Sequence, residues 1–124
     1  MKSDSPWDQT YIYDLHNQVM SLGGGYWANF KVRRVTVTAN YPHGIKYSLT
    51  LHRRGGHRVL GYDNAHLPEN LKGWKKPDGS ALTDRDHRHW RDQEADPYTF
   101  VSPGKLLEDF WADVDRMLKE EGIE

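Results

Sequence analysis

The tightest constraint on this chain lies between Ile45 and Arg53. Ile45, Tyr47, Leu49 and Leu51 alternate there with Lys46, Ser48, Thr50 and His52. Successive side chains of a strand leave opposite faces, so this period describes a strand with one buried face and fits no helix. Such a strand needs partners in the sheet and a cover over its apolar face. Gly55-Gly56 makes a tight hairpin into Arg58-Val59-Leu60-Gly61-Tyr62. Upstream, Lys31 to Ala39 sets Val35, Val37 and Ala39 against Arg34, Thr36 and Thr38, and Tyr41-Pro42-His43-Gly44 forms the turn between the two runs. The three segments predict an antiparallel meander with one face on a core.

The cover comes from the end of the sequence. Ser102 is placed to cap a helix with Pro103 at its first position. Leu106, Leu107, Phe110, Trp111, Val114, Met117 and Leu118 fall on one face, and Gly122 ends the run. Glu108, Asp109, Asp113, Asp115 and Glu120 are assigned to the solvent side. At the other end, Ser5-Pro6 and the spacing of Trp7, Tyr11, Leu15 and Leu22 predict a helix over about 6–21, closed by Gly23-Gly24-Gly25. Asp86 to Trp90 begins a fourth strand. Asp92 to Pro97 reads as a polar turn, and Tyr98 to Val101 as a fifth strand or a lead-in to the last helix. The expected fold is therefore a single α+β domain over 1–124, with an antiparallel sheet of four or five strands packed on the C-terminal helix.

Composition narrows the setting. No apolar run reaches the length of a membrane span, and no signal peptide is evident. The chain has no cysteine, which excludes disulfides and thiolate metal sites and makes a reducing cytoplasm the simplest location. The net charge of −1 conceals an asymmetry. Residues 31–91 hold 13 Lys and Arg against 5 acids, and six of the seven histidines. A basic middle between acidic ends suits a nucleic-acid site as well as an ordinary solvated face. Arg53 and Arg54 belong to this basic stretch. In the loop-like segment 64–85, Lys72, Lys75 and Lys76 bracket Trp74, a pattern that can stack a base and meet phosphate.

Asp86-His87-Arg88-His89-Trp90 carries the chemistry. In an extended segment His87 and His89 share one face and Arg88 takes the other. With strands three and four adjacent, Asp63 approaches these histidines and orients one imidazole as a general acid. Metal-independent RNA cleavage needs a base for the 2′-hydroxyl, an acid for the 5′-oxygen and a cation at the phosphate. His87 and His89 fit the first two roles, and Arg85 or Arg88 the third. Two imidazoles and a carboxylate also make an open metal site, the competing use of the same atoms; acid–base work is preferred, with no metal or other cofactor expected. No glycine-rich phosphate loop of either standard type and no nucleophile elbow is present.

Several motifs together resemble a known family. The segments are Lys46-Tyr47-Ser48-Leu49, Tyr62-Asp63-Asn64, Asp86-His87-Arg88-His89, Pro97-Tyr98-Thr99-Phe100 and Leu107-Glu108-Asp109-Phe110-Trp111. In this order they are similar to the TumE family of toxin–antitoxin systems, over roughly residues 26–119. The resemblance implies a small bacterial toxin paired with a helix-turn-helix antitoxin and directed at RNA. The chain departs from the family pattern in its 22 residues (64–85) between the second and third segments, and in its first 25 residues. A non-catalytic module that binds nucleic acid or antitoxin through a basic sheet face is the rival reading. A homodimer is a further expectation, because an open meander has edge strands to protect.

Overall fold

The computed structural model describes residues 10–80 and 85–123. Six antiparallel strands run in chain order across one sheet: β1 (Val19–Gly23), β2 (Tyr26–Arg34), β3 (Ile45–His52), β4 (Arg58–Asp63), β5 (His87–Trp90) and β6 (Asp96–Pro97). The helix α1 (Pro103–Glu120) covers one face. The architecture is the expected α+β arrangement, with one strand more than anticipated.

The extra strand replaces the expected N-terminal helix. Tyr11–Leu15 forms only a single 3-10 turn, Asn17 takes a φ of +66°, and Val19–Gly23 then pairs with β2. The proposed start at Ser5-Pro6 lies outside the described residues. Helical spacing was a weak signal here because Tyr11-Ile12-Tyr13 is β-branched and aromatic, and β2 satisfies the backbone groups of Val19–Gly23. The three glycines make the β1–β2 hairpin instead of a helix stop. Gly25 is the most constrained, with a φ of +84° and an added Cβ that would fall 2.7 Å from Arg54 Cβ.

The strand expected over Lys31–Ala39 is also displaced. β2 ends at Arg34, and its buried residues are Tyr26, Ala28, Phe30 and Val32. Phe30 lies opposite Leu49, and Val32 opposite Tyr47. This register puts two aromatics into the core, whereas the later Val-Thr alternation would bury only small residues; Val37 is 67% exposed. Similarly, β6 falls on Asp96–Pro97, and Tyr98–Val101 is a lead-in to the helix.

β3, β4 and α1 follow their patterns. Ile45, Tyr47, Leu49 and Leu51 are all buried, as are Leu106, Leu107, Phe110, Val114 and Met117. Phe110 meets Phe30 and Tyr62 edge-on, with centroids 5.6 and 6.0 Å apart. The backbone N–H of Lys105 donates to Ser102 Oγ at 3.1 Å, the anticipated cap. Asp113 departs from its assignment to the solvent face. It is buried because Tyr62 Oη (2.6 Å) and Arg88 Nη1 (2.9 Å) both donate to its Oδ2.

Past α1, Glu121 draws the far end of the sheet together. It accepts from Arg53 Nε and Nη2 at 2.6 and 2.8 Å, from Arg91 Nη2 at 3.1 Å and from the Tyr26 hydroxyl. The Arg53 and Tyr26 hydrogen bonds hold its carboxyl at about 2, against an ordinary 4.5. A carboxylate with a depressed folded pKa stabilises the fold fully above the unfolded value, and the contribution disappears as pH falls through the folded one. Stability should therefore decline between pH 4.5 and about 2, and less steeply in Glu121→Gln. Denaturant unfolding of both proteins at stepped pH measures this; parallel profiles would refute it.

Candidate active site on the outer sheet face

The register fixes the site. Tyr62 and Arg88 are opposite one another and point toward α1, where both reach Asp113. Their neighbours Asp63, His87 and His89 therefore occupy the other face. Lys31, Ser48, Asp63, His87 and Pro97 are successive cross-strand partners, a single row over five strands. Asn29, Thr50, Gly61 and His89 make the next row.

Asp63 and His87 are brought together as the sequence suggests. His87 Nε2 lies 3.2 Å from Asp63 Oδ1. The contact is close but poorly directed, and Nε2 has no hydrogen-bond partner among the described residues although the side chain is fully buried. The other ring nitrogen, Nδ1, is 2.8 Å from the Arg85 carbonyl oxygen. A carbonyl only accepts, so Nδ1 carries the proton of that bond. Asp63 Oδ1 also accepts from the Ala65 N–H at 3.2 Å, which fixes the carboxylate at the end of β4. The next residue, Asn64, is structural: its amide bridges the Tyr47 N–H (3.0 Å) and the Ile45 carbonyl (2.8 Å).

His89 stands beside His87 with ring centroids 4.8 Å apart and planes near perpendicular. It is half-buried, and His66 approaches His87 from the following loop, with centroids 5.8 Å apart. The imidazoles are biased in opposite directions. Burial lowers the His87 pKa, but the Asp63 carboxylate and the Arg85 carbonyl outweigh it and leave the value raised. For His89, burial together with the nearby Arg58 and His87 charges pushes the value down to about 4. Burial would raise Asp63, yet His87 and the Ala65 N–H hold it below the carboxylate range. One imidazole is thus biased toward its protonated form beside a carboxylate and the other toward its neutral form, a division that suits proton transfer. The same three side chains offer ligand atoms within 4.8 Å of one another, a grouping that would also hold a metal.

The remaining sequence candidates lie elsewhere. Arg88 is on the helix side, bound to Asp113 and 3.5 Å from Asp96. Arg85 is half-buried, with Nη1 3.4 Å from the Ala65 carbonyl, at the margin of the cluster. Arg53 is committed to Glu121, and Arg54 is exposed at the β3–β4 turn. Lys72 pairs with Glu69 at 2.7 Å. Trp74 and Lys76 line a cleft of about 370 Å³ with Pro77, Asp78, Pro97, Tyr98 and Thr99, while Lys75 is exposed beside it. Sequence reasoning passed over Arg33, Lys46 and Arg58. Arg33 and Lys46 are direct cross-strand partners on the outer face, and like charges so placed cost stability unless an anion meets them. No ion pair joins these three to a carboxylate among the described residues. Only Lys46 lay on the polar side of a read alternation; Arg33 fell on the apolar side of the displaced 31–39 reading, so the pairing emerged only with the register.

The fold and this centre define a small α+β domain with a carboxylate–imidazole cluster on the polar face of a meander. Residues 25–118 match the family model described as Toxin TumE, and the chain belongs to that family. It is accordingly a toxin of the toxin–antitoxin class, and that class implies an antitoxin partner. No curated protein and no solved structure matches the chain. No helix among the described residues is long and apolar enough to cross a membrane.

Proposed function

We propose that this toxin cleaves RNA, with the Asp63–His87–His89 cluster as its reactive centre. The observation that carries the reading is the convergence of a carboxylate and two imidazoles on the polar sheet face. Arg33, Lys46 and Arg58, on or beside that face and in no ion pair with a carboxylate among the described residues, support it. His89, the accessible member, takes the 2′-hydroxyl proton as the 2′-oxygen bonds to phosphorus. The bond from phosphorus to the 5′-oxygen breaks, and that oxygen takes the proton that His87 shares with Asp63. The products are a 2′,3′-cyclic phosphate and a 5′-hydroxyl, with no redox change. His87 has no exposed surface, so its proton leaves through a water or after the His89 ring turns aside. Arg85 at the margin meets the phosphate, and Trp74 with Lys75 and Lys76 extends the RNA path.

The antitoxin on this reading is a helix-turn-helix protein, and two copies of the chain would pair through an edge of the sheet. Bacterial expression of wild type and of a His87→Ala/His89→Ala double variant tests the catalytic reading. Growth arrest and RNA breakdown by wild type alone are expected. Equal toxicity from a folded double variant would assign the face to binding instead.

A further inference from the structure

We infer that the same three residues form a binding site for one divalent transition-metal ion, with Asp63 Oδ1, His87 Nε2 and a ring nitrogen of His89 as ligands. The ion and the proton that His87 shares with Asp63 compete for the same atoms, and ion binding is read without RNA, so its test is separate from that of the cleavage reading.

Three observations carry it. The first is the state of His87 Nε2. With Nδ1–H donating to the Arg85 carbonyl, the neutral form of His87 turns a bare lone pair from Nε2 toward the Asp63 carboxylate, in a fully buried position with no other partner among the described residues. A lone pair facing a carboxylate oxygen calls for a cation between them, either a proton or a metal. The 3.2 Å contact has the distance of an ion pair without the geometry of a hydrogen bond.

The second observation is the spacing itself. Zinc–nitrogen and zinc–oxygen distances of about 2.0–2.2 Å at a tetrahedral angle place two ligand atoms about 3.3–3.5 Å apart. The observed 3.2 Å falls just short of that range. His89 adds a third ligand atom within 4.8 Å of the other two. Three protein ligands with a fourth position open is the arrangement of a catalytic rather than a structural ion.

The third is the support around the ligands. Metal-bound histidines generally donate their other N–H to a carbonyl or carboxylate, which sets tautomer and ring orientation. The Arg85 carbonyl already does this for His87, and the Ala65 N–H holds Asp63 in place. Both ligands are therefore oriented by main-chain groups before any ion arrives. When bound, the ion would polarise a phosphoryl oxygen and acidify a water in the open position.

The test uses the full chain, free of any tag and stripped with EDTA, titrated with Zn²⁺ and separately with Mn²⁺ by calorimetry, with thermal unfolding alongside. One saturable site and a rise in Tm on ion addition are expected. Asp63→Asn and His89→Gln should each weaken binding by at least about tenfold, whereas His57→Gln, on an exposed residue distant in register, should not. His89 is half-buried, so its variant keeps the test valid even if a His87 variant fails to fold. Absence of a one-to-one site, or unchanged affinity in both Asp63→Asn and His89→Gln, overturns the inference. RNA cleavage that survives EDTA in a protein that binds the ion would leave the metal site standing and assign the chemistry to the imidazoles.

Discussion

Replacing His89 with alanine is expected to slow RNA cleavage by about 10²–10⁴-fold, the usual loss when one proton-transfer group is removed. Stability should change little, because His89 is half-buried and its ring makes no hydrogen bond among the described residues. His87→Ala provides the contrast. That side chain is fully buried between Asp63 and the Arg85 carbonyl, so its loss leaves a cavity and an unbalanced carboxylate and should lower Tm as well as activity. Single-turnover cleavage of a defined RNA, measured with thermal unfolding of each variant, separates the two effects. Full activity in a folded His89→Ala protein would remove this residue from the chemistry.

The second large effect is structural and lies on the opposite side of the sheet. Asp113→Ala should destabilise the fold by about 3–5 kcal/mol, the usual cost of removing one partner from a buried ion pair. The Tyr62 hydroxyl and the Arg88 guanidinium would both lose their acceptor. Arg88 retains some solvent and the more distant Asp96, which points to the lower end of that range. Asp113→Asn should recover the part that belongs to Tyr62, since an amide oxygen still accepts from the phenol. Urea unfolding of the three proteins decides it. A change under about 1 kcal/mol for Asp113→Ala would show that the pair behaves as a surface contact.

These two variants also illustrate what the sequence could reveal. The Asp63–His87 meeting was legible because strand alternation puts i and i+2 on one face, and a short antiparallel pairing leaves few registers. β3 and α1 were legible because each carries an unbroken period, and β4 because the Gly55-Gly56 turn returns the chain beside β3. The role of Asp113 was not. A carboxylate on an amphipathic helix is normally solvated, and only the positions of Tyr62 and Arg88 across the core make its burial favourable. Arg53 shows the converse: a count of basic residues does not distinguish a cation held by Glu121 from one free to meet phosphate. The slip of β2 has another cause. Valine and threonine at 35–38 have the higher strand propensity, but Tyr26 and Phe30 bury more area, and packing overrides local preference.

The strand order has a kinetic consequence. Every ladder joins segments adjacent in sequence, so most closures are short hairpins with a small entropic cost, and such topologies fold quickly for their size. The exception is the junction between β4 and β5, which spans residues 64–86. Asp63 stands on one side of it and both histidines on the other. The first four strands can zip together one after another, but the cluster itself forms only when this longest closure in the sheet is made. A nascent or partly folded copy thus carries the basic face before it carries the reactive centre.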